Sequence, residues 1–236
     1  MTTTTYSLYL ESGPKRRKTM VHALDLLGCV ATGPTTDEAL ADTPEAIRAY
    51  LRFLARHGET VEPDAPFETC VVEHITEGDW LGNGSPYIVF GPDLEPLTDA
   101  EIETCLSRAR WLCDDIADWL ARHTSEELDA TPSGGGRTAR AIALHVLGAE
   151  GSYLAAALGG APGFSRLHTA AERGEIALPD ALRRAGEMVV ERARATTPEE
   201  RAAVRQLSAG PRTFHKALRR TLEHSWEHLA ELERRR

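Results

Sequence analysis

The sequence predicts two domains of different class: an α+β domain over residues 1–92 and an all-α four-helix bundle over residues 93–236. Two patterns support this division. Apolar and polar residues alternate with the strand period in the first part, whereas the second part shows the helical period with capping sequences. The length of 236 residues exceeds what one small core requires and suits two domains of ordinary size.

The first domain is predicted to be a β-β-β-α unit with added strands. Thr35 and Glu38 have capping-box spacing at the start of its helix. The basic run KRRK at 15–18 lies between the first two strands, and we interpret it as a solvated hairpin turn. The predicted strands are, in order, 6–11, 20–26 and 28–33 before the helix, then 67–75 and 86–90 after it.

The second domain is predicted to contain four main helices. Thr98 and Glu101 form a second capping box at the start of the first of them, and Thr197 opens a short additional helix. A longer connection joins the second and third helices, as in many four-helix bundles. The predicted main helices are 98–123, 138–158, 179–196 and a last one that begins near Pro211.

Composition excludes several classes of protein. The formal net charge of −9 argues against a general nucleic-acid binder, which needs a basic surface. The sequence has no signal peptide and no apolar run of about 18 residues, so no membrane association is expected. The four cysteines are scattered without a CxxC motif, which fits a reduced, cytoplasmic protein; they are Cys29, Cys70, Cys105 and Cys113.

Two histidines on the last predicted helix form a candidate metal-binding pair. His224 and His228 are four residues apart and therefore point the same way, on one shoulder of an apolar stripe. Trp226 lies on the other shoulder, where packing is its expected role. Such a pair alone is a weak signal, but His145 lies at the edge of the apolar stripe of the second helix and adds a third imidazole.

Both histidine-bearing segments resemble the DinB superfamily, the bundle shared with mycothiol-dependent maleylpyruvate isomerases and bacillithiol transferases. They are TARAIALHVLGAEGSYL (138–154) and HKALRRTLEHSWEHLAEL (215–232). The resemblance implies that His145, His224 and His228 bind a divalent metal ion, zinc or nickel, with open coordination positions. Three imidazoles with open positions are the pattern of catalytic zinc, but imidazole also suits other metals.

The segment HALDLLGCVATGPTTDEALADTPEAIRAYL (22–51) resembles the HicB family of antitoxin-like domains. Asp25, the Gly28–Cys29 pair and Gly33 are among the matching positions, whereas Leu27 stands where the family usually has proline. The resemblance implies a degraded RNase H-like fold and a small toxin-like protein partner. The alternative is a plain α+β docking domain.

The sequence therefore indicates two alternative functions. The first is a cytosolic metal-binding protein of DinB type, a metal-dependent thiol transferase or hydrolase acting on a small-molecule substrate with a low-molecular-weight thiol. The second is a non-enzymatic binding or regulatory protein of toxin–antitoxin lineage. A homodimer is also expected, because the second helix of the bundle has apolar residues on two faces and one bundle core uses only one of them.

The remaining polar residues receive simpler interpretations. Glu150 and Glu227 are interpreted as surface charges in preference to supports for metal ligands. The negative net charge argues against polyanionic substrates, although a local basic patch of four arginines could override it; they are Arg137, Arg140, Arg219 and Arg220. No functional partner is predicted for the other histidines, which are His22, His57, His74, His123, His168 and His215.

Overall fold

The computed structural model describes residues 3–14, 17–208 and 210–235. The chain divides into two compact units, one formed by the residues up to Glu95 together with Val204–Arg212, the other by Pro96–Ala203 together with the residues from Thr213 onwards. Lys15 and Arg16 of the basic run lie outside the described residues, so the predicted turn is not described in full.

The first unit contains a four-stranded mixed sheet. The order is β3-β2-β1-β4, with β1, β2 and β3 antiparallel neighbours and β4 parallel to β1. Helix α1 (Thr36–Arg56) connects β3 to β4 and packs on β2 and β3. The predicted β-β-β-α unit is therefore confirmed. The strands are β1 (Thr4–Ser12), β2 (Thr19–Ala23), β3 (Val30–Gly33) and β4 (Phe67–Ile75).

Local sequence explains how α1 begins and which face it buries. The Thr35 hydroxyl accepts a hydrogen bond from the Glu38 backbone N–H, so the predicted cap is formed. Its buried residues recur at helical spacing and cover one side of the sheet, whose own core positions include Leu8 and Leu10. The buried positions of α1 are Ala39, Thr43, Ile47, Tyr50, Leu51, Phe53 and Leu54.

The strand predicted at 86–90 is wrong, because side chains satisfy the backbone of this segment. The Tyr87 N–H donates to Ser85 Oγ, 3.2 Å away. The Phe90 N–H donates to Asp93 Oδ2 at 2.9 Å, at the start of a 3₁₀ turn (Gly91–Leu94). These local bonds replace a strand ladder, and the alternating apolar residues instead anchor the segment through buried Phe90.

The second unit is helical, and its long helices form the predicted four-helix bundle. Helix α2 packs on α6 and α8, and α4 packs on α6 and α8 as well. The Thr98 capping box and the Thr138 N-cap are both present. The helices are α2 (Asp99–Ala121), α3 (Ser125–Asp129), α4 (Ala139–Leu158), α5 (Phe164–Glu172), α6 (Leu178–Arg194), α7 (Pro198–Ala202) and α8 (Phe214–Glu233).

The last helix begins later than predicted. Pro211 lies in a short hairpin of β5 (Arg205–Leu207) and β6 (Gly210–Arg212). Thr213 is the N-cap of α8, since its hydroxyl accepts a hydrogen bond from the Lys216 N–H at 3.1 Å. The two helices α3 and α5 were not predicted either. Both lie in the connections between the main helices.

The apolar second face of α4 is partly covered by α5. A Cβ atom placed on Gly151 would lie 2.4 Å from the Phe164 Cβ, so the two helices approach each other closely there. The observation behind the expected homodimer thus has an explanation within one chain, and the dimer stays a prediction. By length and composition α4 would also pass as a membrane-crossing helix, which is weak evidence because core helices of soluble proteins pass as well.

Candidate metal centre

Three histidines from two helices of the bundle converge at one point. His145 on α4 meets His224 and His228 on α8, and one ligand atom of each lies within 4.8 Å of the others. The ring centroids are 4.7 Å apart for His145 and His224, and 5.1 Å apart for His145 and His228. The structure therefore brings together all three residues that the sequence predicted as ligands.

The cluster extends from the bundle interior to its surface. His224 is buried, His228 is intermediate and His145 is exposed. His224 thus lies deeper than the predicted shoulder position. The Tyr153 ring, two turns beyond His145 on α4, lies 5.9 Å from the His224 ring and forms a wall of the cluster. His145 is thus the member of the cluster that faces solvent.

A carboxylate holds one of the rings in place. His228 Nδ1 donates to Glu231 Oε2 at 3.0 Å, and Arg235 pairs with the same carboxylate group at 2.7 Å. A histidine that donates from Nδ1 keeps the lone pair of Nε2 available for a metal ion. Sequence reasoning missed Glu231, although its position three residues after His228 on a helix was a usable signal.

All three imidazoles favour the neutral form. Burial, together with the neighbouring His228 and Arg220, lowers the pKa of His224 to about 2. Burial, together with Arg137, lowers the pKa of His145 to about 4. Burial also lowers the pKa of His228, and its bond to Glu231 offsets only part of that effect. Neutral rings are the form that binds metal ions.

One hydrogen bond within the cluster is incompatible with a metal ion bound by both of the nitrogens that form it. His224 Nε2 lies 3.0 Å from His145 Nε2, so one of the two nitrogens donates a proton to the other. A metal ion needs the lone pair of each ligating nitrogen. This bond and simultaneous ligation by both Nε2 atoms are therefore alternatives, and binding would require one ring to change its tautomer.

Three of the four arginines considered for a basic patch are paired with carboxylates. Arg219 and Arg220 are buried rather than at the surface, and both guanidinium groups pair with the Glu223 carboxylate, at 2.9 Å and 2.7 Å. Arg140 pairs with Asp129 at 2.6 Å. The patch was inferred from residue type alone, and ion pairing within the bundle removes most of its charge from the surface.

Glu150 is not a surface charge as predicted. It is 2 % exposed, and Oε1 accepts a hydrogen bond of 2.6 Å from the hydroxyl of Ser225, the residue after His224. The second carboxylate oxygen has no hydrogen-bond partner among the described residues. Burial raises the pKa of Glu150 and the bond from Ser225 offsets only part of that rise, which leaves the pKa at about 7. Glu227, in contrast, is partly exposed.

The raised pKa of Glu150 predicts a loss of stability at alkaline pH. The pKa is 4.5 for a free glutamate and about 7 in the fold, so its protonated form favours the folded state. This stabilisation is complete below about pH 4.5 and is lost as the pH rises through 7, by about 3 kcal/mol in total. Glu150→Gln should therefore unfold at higher urea than the parent at pH 8, with little difference at pH 4.5.

The matched control is Glu227→Gln, which changes a partly exposed glutamate and should shift unfolding equally at both pH values. Comparing each variant with the parent at the same pH cancels the titration of the histidines. A Glu150→Gln effect that is equal at pH 4.5 and pH 8 would contradict the prediction.

Trp226 and two further histidines of this unit lie outside the three-histidine cluster. Trp226 is 7 % exposed, which agrees with a packing role. His123 stacks on Trp119 and bonds its carbonyl, so it is a structural residue. His168 contacts Gly148 on α4 and lies outside the three-histidine cluster.

Comparison with known proteins adds one finding. A family model described as the DinB superfamily matches residues 106–232, more than half of the 236-residue chain. The matched span contains the three clustered histidines. Neither the comparison with curated proteins nor that with solved structures found a match. The HicB-like character of residues 1–92 and the cytoplasmic location stay predictions.

Proposed function

The chain belongs to the DinB superfamily, and from this premise we propose that it is a metal-dependent enzyme acting on a small molecule, either by thiol transfer or by hydrolysis. The proposal includes His145, His224 and His228 as ligands of one divalent ion, zinc or nickel. The observation that carries it is the convergence of three imidazole nitrogens within 4.8 Å, on helices of the matched region.

The donor set fits such an ion. Three neutral nitrogen ligands from a rigid bundle, with one side open, are the arrangement of catalytic rather than structural zinc. The lowered pKa values keep the rings unprotonated at neutral pH. Glu231 supplies the outer hydrogen bond that orients a ligating histidine, and Arg235 in turn holds Glu231.

The positive charge of the bound ion would determine the chemistry of the proposed site. An ion held by three neutral ligands keeps its full positive charge, and so favours the deprotonated form of a thiol or of water at neutral pH. The chain's own residues would bind and position the reactants: Tyr153 forms a wall beside His224, and exposed His145 lies at the open side. Among the described residues we identify no serine or cysteine nucleophile at this cluster, and the attacking group therefore comes from a thiol co-substrate or water.

The test is turnover by the full chain loaded with zinc or nickel. A panel of electrophiles is offered with mycothiol, bacillithiol, glutathione or water alone, and product formation is followed. We expect metal-dependent turnover with one of these, reduced about 100-fold or more in His145→Ala, because the ion loses a ligand. His57→Ala, which changes a histidine outside the cluster, is the control and should keep full activity.

Absence of metal-dependent turnover with every thiol and with water would contradict the enzymatic proposal. In that case the non-enzymatic role, with the bundle as a scaffold, becomes the better account. Turnover that survives in His145→Ala with bound metal and an intact fold would place the chemistry elsewhere.

A further inference from the structure

A cavity of about 330 Å³ lies between α4 and α5, the first of which also carries His145. Its walls include Gly148 and Ser152 from α4, and Ser165, His168 and Thr169 from α5. Ser152 follows His145 by seven residues, nearly two turns, and so projects from almost the same side of α4 about 10 Å further along the axis. The volume lies at the lower end of the range for small-molecule sites.

Two glycines within α4 shape this cavity, and glycine inside a helix costs roughly 1 kcal/mol relative to alanine. Gly151 has a packing reason, since a Cβ there would lie 2.4 Å from Phe164. Gly148 does not: a Cβ there would meet the His168 ring at 3.4 Å, which is ordinary contact. Alanine would fit at 148, and its absence leaves room in the cavity.

The polar groups of the cavity specify what it accepts. The Ser152 hydroxyl donates to the Gly148 carbonyl at 2.8 Å, and the Thr169 hydroxyl donates to the Ser165 carbonyl at 2.9 Å. Each hydroxyl has one proton, so both oxygens offer only lone pairs to a ligand. The ring nitrogens of His168 make no hydrogen bond within the described part of the chain.

The apolar and ionisable side chains of the lining further define the chemical class of ligand that the cavity accepts. Leu147 and Phe164 contribute apolar surface, and the lining residues include no Asp, Glu, Lys or Arg. His168 is the one lining side chain that can carry a charge, and in its neutral form it supplies no counter-charge to a charged ligand group. The best match is an uncharged group with N–H or O–H donors attached to a small apolar body.

We propose that this cavity recognises the substrate or co-substrate of the three-histidine site by such an uncharged, donor-bearing group. The inference rests on the proposed function in one respect, namely that a ligand about 10 Å long reaches from Ser152 to the imidazoles. Binding in the cavity itself needs no metal ion.

The test uses three probes of similar shape in NMR titrations of the full chain, metal-free and zinc-loaded. Benzamide offers N–H donors, benzoate carries a charge and methyl benzoate only accepts. We expect benzamide to bind with a Kd on the order of 1–10 mM, as befits a ligand of its size, and at least about tenfold more tightly than the others. Shifted signals should come from residues 148–155 and 164–169.

Variants locate the site. Gly148→Leu fills the cavity and should abolish benzamide binding, and His168→Phe keeps a ring but removes its hydrogen bonds and should weaken binding about fivefold. The control is Ala141→Leu, at an exposed position of the same helix, which should leave binding unchanged.

The outcomes separate this inference from the proposed function. Benzamide binding that is equal with and without zinc, and lost in Gly148→Leu, supports the cavity even if no turnover is found. No binding by benzamide, equal binding by benzoate, or unchanged binding in Gly148→Leu overturns the inference and leaves the three-histidine site untouched.

Discussion

Replacing His224 and His228 together with alanine is expected to abolish metal binding. The parent chain should hold about one divalent ion, and the double variant would retain only one of three ligands, His145, too few for a stable site. Metal analysis of protein purified without an affinity tag gives the stoichiometry. Equilibrium dialysis against zinc and against nickel gives the affinities.

Two further variants are compared with the parent in the same metal-binding measurements. Glu231→Gln keeps all three imidazoles but weakens the hydrogen bond that orients His228, and should lower the affinity about 10- to 100-fold. His57→Ala should bind like the parent. Undiminished binding by the double variant, with circular dichroism showing an intact fold, would mean that the ion binds elsewhere.

Loss of the Glu223 carboxylate is expected to have the largest effect on stability. Its two oxygens pair with Arg219 at 2.9 Å and with Arg220 at 2.7 Å, and all three side chains are at most 3 % exposed. Removing one partner of a buried ion pair leaves uncompensated charge in a poorly hydrated place. Glu223→Ala should therefore lower the free energy of unfolding by about 3–5 kcal/mol, measured by urea denaturation.

Glu227→Ala is the control for that variant. Glu227 lies one turn further along α8, is 31 % exposed and approaches Arg220 only at 4.0 Å. Its removal should cost less than about 1 kcal/mol. Equal losses in the two variants would show that the buried carboxylate has no special role.

The features that were predicted best from the sequence are those that depend on residues close together along the chain. The starts of α1, α2 and α7 were predicted from threonine caps, because a capping hydrogen bond spans only three residues. The three histidines were found because residue type and helical spacing place their side chains before any fold is known. The resemblance to the superfamily then supplied the pairing between helices.

Burial of charge was not predictable, because it depends on packing against elements that are distant in sequence. Glu150 is buried against Ser225, 75 residues away, and nothing near it in sequence indicates this. Arg219 and Arg220 were considered for a basic patch, yet both are buried, and their pairing with Glu223 makes burial tolerable. The strand predicted at 86–90 was wrong because serine and aspartate side chains bond its backbone in place of the expected strand partners.

The composition of the two units bears on how genes can exchange such parts. Because Val204–Arg212 belongs with the first unit, the backbone passes between the units after Glu95, Ala203 and Arg212. One recombination breakpoint after Glu95 transplants the histidine-bearing helices intact and leaves the four-stranded sheet complete, but it cannot leave the β5–β6 hairpin with the first unit. A transplanted bundle would take the β5–β6 hairpin with it, and a host must then accommodate that hairpin or replace it with a plain connection between α7 and α8.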